Sequence, residues 1–170
     1  MQRKDAKTII MYYRSIPEMK RLLQQERREL EDEYCGLHGI SMDGMPHGTS
    51  PGSPVESAVV RLAESGASDR IREIENRVQV LEDDQRHIQS ALDAVNGRYK
   101  NILTMRYING YSWGGISARI GAPDSTVRHW DSKALIRFGK ALEDAGETGE
   151  ILGRATRARL VVYRVIFCWP

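Results

Sequence analysis

The sequence predicts an all-α protein: an N-terminal helical hairpin or coiled coil over residues 1–97, a three-helix module over 98–142 and a tail over 143–170. Three observations predict it. Apolar residues recur at steps of three and four along two long, charged stretches, the mark of helices that bury one narrow stripe. Gly- and Pro-containing breaks fall where those stripes end. Cap signals, Ser or Asp just ahead of an apolar-periodic run, reopen a helix after each break.

The first stretch, Thr8–Leu37, places Ile9, Tyr12, Ile16, Met19, Leu23 and Leu30 close to a seven-residue repeat. Pro17 damages a helix interior but suits a first turn, and Ser15-Ile16-Pro17-Glu18 has capping-box spacing, so a break or fresh start is expected near Ser15. Gln24–Glu33 reads as a solvated, salt-bridged face. Residues 36–54 are rich in Gly and Pro and read as a loop; their glycines lack the GxxxxGK[ST] order that cradles phosphate. Ser53-Pro54-Val55-Glu56 opens a helix that stops near Gly66. Ser68 or Asp69 caps a longer one running to Asn96-Gly97, with Ile71, Ile74, Val78, Leu81, Gln85, Ile88, Leu92 and Val95 on one stripe. Such a stripe is buried either against Thr8–Leu37 of the same chain or in a homodimer seam through residues 71–95, and both stay open.

After Gly97 the period resets. Ile102, Leu103, Tyr107 and Ile108 form an apolar face, and Asn109-Gly110 supplies a positive-φ stop. Ser112 caps a short helix, Trp113–Ile120, expected to bury Trp113, Ile116 and Ile120. Gly121-Ala122-Pro123 makes a tight turn, and Asp124 or Ser125 caps a third helix reaching about Leu142. A short helix, a Gly-containing turn and a second helix are the helix-turn-helix layout. On the third helix Val127, Trp130, Ala134, Leu135 and Phe138 share the inward face. The opposite face carries Ser125, Thr126, Arg128, His129, Ser132 and Lys133. These are the candidate DNA-binding residues, because Arg donates two bonds to guanine and hydroxyls reach bases or phosphates.

Charge agrees with double-stranded DNA as the partner. The whole chain is only +2, but Asn101–Leu142 holds six cations (Arg106, Arg119, Arg128, Lys133, Arg137, Lys140) against Asp124 and Asp131, and nearby phosphates respond to the nearest charges. Cys35 and Cys168 lie far apart and fit no metal spacing, which reads as a reducing, cytoplasmic setting. No run approaches the roughly 18 apolar residues of a spanning helix, so no membrane is expected. His38, His47, His87 and His129 are scattered, so the sequence predicts no catalytic residues, no metal site, no cofactor and no enzyme.

The run Ile102–Trp113, followed by Ile116, Gly121, Ser125-Thr126-Val127 and Lys133-Ala134-Leu135, resembles region 4 of sigma factors. About Thr8–Leu142 as a whole resembles the phage and mobile-element transcriptional regulators of the ArpU/RinA type, in its N-terminal helix, Met-Pro-Gly-Ser loop, heptad helix and sigma-like module. The resemblance implies activation or control of phage genes at promoter DNA, with host RNA polymerase as a further partner, and it puts the six residues above on the base-reading helix. Gly114-Gly115 departs from the acidic pair usual after the Trp and points to a short or mobile second helix, since each interior Gly costs roughly 1 kcal/mol against Ala.

The tail lies outside the resemblance. Ile151–Pro170 joins Arg154, Arg157, Arg159 and Arg164 to the run LVVYRVIFCW, which suits a strand, a buried terminal segment or a basic arm. Two other functions fit the same pattern of elements: a DNA-packaging adaptor like a phage terminase small subunit, and a coiled-coil structural or interaction protein. A large ring in solution marks the first, and indifference to DNA marks the second.

Overall fold

The computed structural model describes residues 1–36, 66–146 and 148–167, with the side chains of 33–36 and 160–167 left aside. Among these residues every element is helical. In chain order they are α1 (Arg3–Gly36), α2 (Ala67–Asp93), α3 (Gly97–Leu103), a π-helical turn (Thr104–Ile108), α4 (Trp113–Ile120), α5 (Asp124–Ala145) and α6 (Thr148–Phe167). Of the loop expected over 36–54, Gly36 ends α1, while residues 37–54, the helix opening at Ser53, and His38, His47 and Cys168 lie outside the described residues.

The chain divides into two compact units: Met1–Pro17 with Glu82–Pro170, and Glu18–Leu81. In the smaller unit α1 buries Leu23 and Leu30 while α2 buries Ile74 and Leu81, and an ion pair joins Arg27 to Glu75 at 3.4 Å. Two members of the heptad stripe, Ile74 and Leu81, are thus buried within the chain, while Ile71 and Val78 stay half-buried.

In the larger unit the core is built from Ile9, Ile10 and Ile16 of α1, Ile88 and Leu92 of α2, Ile102 and Leu103 of α3, Ile116 of α4, and Val127, Phe138 and Leu142 of α5, all essentially without solvent contact. Gly139 of α5 faces the start of α1; a Cβ there would lie 3.2 Å from Met1 Cε. The Met1 ammonium donates to Glu143.

The expected break near Ser15 is absent. α1 runs unbroken through Pro17. An interior Pro removes one backbone bond and costs ~3 kcal/mol, but the turn before it buries Tyr12 and Ile16 and the turns after it bury Leu23 and Leu30. Burying a large apolar side chain is worth about 1.5–3 kcal/mol, so packing outweighs the lost bond. The Ser15 hydroxyl, expected to cap a new helix, donates back to the Tyr12 carbonyl at 2.7 Å.

The tail resolves one of its alternatives: its described part is helix, not strand. α6 buries Ile151 and Ala155. Arg154 forms a fork on Asp84 of α2, Nε to Oδ2 at 2.9 Å and Nη2 to Oδ1 at 2.7 Å. Asp84 is 1% exposed and also accepts from the Tyr12 hydroxyl at 2.8 Å. This fork holds the Arg154 guanidinium further above its ordinary range, and burial with the Asp84 bond raises the Tyr12 phenol.

Candidate nucleic-acid interface

The three-helix arrangement is assembled from local rules. Asn96 accepts from the Arg98 amide to open α3. The π-helical turn follows, with the Asn109 amide reaching the Thr104 carbonyl at 2.9 Å and the Tyr111 amide reaching Met105 at 2.9 Å. Gly110 adopts φ +75° and ends it. Ser112 Oγ accepts from the Gly115 amide at 3.1 Å and caps α4. α4 forms its full eight residues despite Gly114-Gly115. It buries Ile116, but Trp113 and Ile120 are only half-buried, fewer contacts than the sequence led us to expect.

Gly121 takes φ +70°, a left-handed conformation in which any Cβ is strained, and the Ser117 carbonyl accepts from the Gly121 and Ala122 amides. α5 begins at Asp124. Pro123, rather than Asp124 or Ser125, holds the cap position, and no side chain caps the helix. The Pro123 carbonyl accepts the first helical bond, from Val127 at 3.0 Å. Pro is preset for this entry and has no N–H to leave unpaired.

Val127, Ala134, Leu135 and Phe138 of α5 are buried and Trp130 half-buried. On the outer face Ser125, Arg128, His129 and Lys133 are exposed, while Thr126 and Ser132 are half-buried. The spacing 125, 128, 129, 132, 133 keeps these residues on one stripe. Ser132 Oγ donates to the Arg128 carbonyl at 3.2 Å, so its hydroxyl proton is already engaged. Asp124, exposed in the first turn, complements the helix dipole. It also sets one negative charge beside the cations.

Sequence reading missed two features. The first is Asp131, which sits on the inner face of α5 at 7% exposure and accepts from the Tyr107 hydroxyl at 3.0 Å. Burial lifts its carboxyl above the ordinary aspartate range, although the Tyr107 bond, Arg106 and Lys7 pull it back. Burial and Asp131 together raise the Tyr107 phenol. The second is a set of arginines laid on aromatic rings. Arg106 lies 4.4 Å and Arg128 5.2 Å from the Trp113 ring, Arg119 4.5 Å from Tyr111, Arg98 5.0 Å from Trp130 and Arg137 4.4 Å from Tyr99. Arg106 Nη1 also donates to the Tyr111 carbonyl at 2.8 Å. Tyr99, Tyr111, Trp113 and Trp130 interleaved with the arginines were the available signal.

Among the described residues no three His, Cys, Asp or Glu side chains converge on a metal position. No described helix is long and apolar enough to cross a membrane.

Residues 85–137 match the family model for sigma-70, region 4. The match begins within α2 and ends within α5, about a third of the chain. Neither curated proteins nor solved structures returned a match. The chain thus carries a sigma-70 region 4-like helix-turn-helix, which supports DNA binding.

Proposed function

We propose that this protein is a sequence-specific transcriptional regulator that reads double-stranded DNA with the N-terminal half of α5. In this reading Arg128 and His129 face base edges, Ser125 and Thr126 reach bases or phosphates, and Ser132 and Lys133 contact the backbone. The observation that carries the proposal is the outer stripe of α5: exposed Arg128, His129 and Lys133 follow directly on the sharp Gly121–Pro123 turn, within the stretch that matches sigma-70 region 4. A helix of that diameter fits the roughly 12 Å major groove, and each bidentate Arg–guanine pair is worth about 1–3 kcal/mol of discrimination.

Finer features belong to the same proposal. The helix-turn-helix domain is taken as 98–142, preceded by a helical region over 1–97 and followed by a tail over 143–170. The setting is the cytoplasm, and the regulator is of the phage or mobile-element ArpU/RinA type, activating genes in contact with host RNA polymerase. A homodimer through residues 71–95 would double the site. The family match supports the helix-turn-helix and the polymerase contact, the order of elements supports the bounds, and the phage type and the dimer rest on the sequence pattern.

Selection of bound DNA from a random pool at near-physiological salt tests the proposal. A consensus is expected, and dyad symmetry within it reports the dimer through half-site spacing. Affinity should fall steeply with salt as counterions are released. Arg128→Ala should flatten preference at one base pair, whereas Lys133→Ala should weaken all sequences alike and lower the salt slope by about 1. A pool that yields no consensus and no salt-dependent retention overturns the function.

A further inference from the structure

The cations around the loop into α4 lie against aromatic rings, Arg119 and Arg128 while exposed and Arg106 half-buried. Arg106 and Arg128, from the π-helical turn and from α5, both lie over the single indole of Trp113, and Arg119 lies over the neighbouring Tyr111. Arg14 of α1 reaches the same loop, with Nη1 3.3 Å from where a Cβ on Gly110 would stand. Trp113 itself is half-buried, held at the first position of α4 beside the Ser112 cap. Arg106 is further fixed by its bond to the Tyr111 carbonyl.

From this geometry we infer that Trp113 is a positioning residue for DNA reading: its indole holds the Arg128 guanidinium in place before DNA arrives. The inference rests on the proposed role of α5. An exposed Arg has many rotamers, and any contact it makes must first overcome the entropy of ordering them. An indole face attracts a guanidinium with about 0.5–1 kcal/mol at an exposed site and Trp does so better than Tyr or Phe, so part of the ordering is complete in the free protein. With its Cζ 5.2 Å from the ring centroid, the guanidinium can stay on the indole and still donate through its N–H edge, from which guanine O6 and N7 accept. Arg106, anchored on the same ring, keeps the indole itself from swinging away.

The test compares wild type, Trp113→Leu, Trp113→Tyr, Trp113→Phe, Arg128→Ala and the double variant W113L/R128A. Each is titrated with the selected DNA site and with the same site changed at the base pair that Arg128→Ala no longer distinguishes. W113L is expected to lose about two- to fivefold in discrimination at that pair, with Tyr and Phe falling between Leu and Trp. The double variant should discriminate no worse than Arg128→Ala alone, since the two residues act as one unit. Without DNA, the Arg128 side-chain protons should show an upfield ring-current shift that W113L abolishes. Equal discrimination in W113L and wild type overturns the inference while leaving the proposed function intact. So does an even loss across all sequences, which marks Trp113 as a fold residue only. If W113L fails to fold, the Trp, Tyr, Phe series decides, and a flat series overturns the inference. Wild type that retains no DNA overturns the proposed function, and this inference with it.

Discussion

Replacing Arg154 by Leu isolates the ion pair that ties α6 to α2. The Asp84 side chain is 1% exposed and Arg154 25% exposed, with two bonds of 2.9 and 2.7 Å between them. Removing one partner of a buried pair costs about 3–5 kcal/mol, because the remaining charge is left without compensation. Two facts reduce that figure here: Tyr12 still donates to Asp84, and a quarter of the guanidinium already meets solvent. We expect R154L to destabilise the larger unit by about 2–3 kcal/mol, or roughly 4–12 °C in Tm for a chain of this size. Urea and thermal melts followed by circular dichroism measure it. Arg21→Ala is the internal standard, because the Arg21–Glu18 pair is more than half exposed on both sides and an exposed pair contributes little. The variant Y12F/D84L/R154M, which removes both charges and the buried Tyr12 hydroxyl that would otherwise lose its acceptor, should recover most of the loss. If R154L unfolds within experimental error of R21A, the fork carries no net stability and the reasoning fails.

Three other outcomes follow from single residues. Asp131 has its folded-state pKa raised by burial, so its stabilising contribution is complete below the unfolded aspartate value and is lost as pH rises through the folded one; relative to Asp131→Asn, wild type should lose stability from about pH 4 upward, and urea midpoints that instead favour wild type with rising pH contradict this. Gly121→Ala places a Cβ at φ +70° and should cost about 1–2 kcal/mol, with Asn at the same position costing less, read from thermal melts. Ser112→Ala removes the acceptor for the Gly115 amide and should cost about 1 kcal/mol, with the larger loss of helix signal confined to conditions near the midpoint; an unchanged Tm refutes the cap.

What could be read in the sequence was set by neighbours along the chain. Ser112, Gly110, Gly121 and Pro123 each act on groups within a few residues of themselves, so the bounds of α4 and the turn into α5 were legible. The inward set Val127, Ala134, Leu135 and Phe138 follows from helical spacing alone. Pro17 misled because its local rule is opposed by burial on either side, which depends on what α1 meets rather than on α1. Nothing local marks Asp84 or Asp131 as a buried acid, because their partners, Arg154 and Tyr107, stand 70 and 24 positions away. The π-helical turn has no period of its own to detect over five residues.

The arginines show why counting charge was a sound but incomplete guide. Six cations against two acids over Asn101–Leu142 marked the stretch as basic, yet one of those two acids is buried beneath Tyr107 and scarcely contributes to the outer field. Four of the six cations, Arg106, Arg119, Arg128 and Arg137, rest on aromatic rings. Immobilising a rotamer-rich side chain at an interface costs about 0.5–1.5 kcal/mol, and a side chain already settled on a ring spends less of its binding free energy on that ordering. Lys133 and Lys140 are exposed, and a flexible ammonium suits the diffuse attraction of phosphates, which asks for charge and not for a fixed direction. On the proposed reading, ring-held Arg128 specifies and exposed Lys133 only attracts.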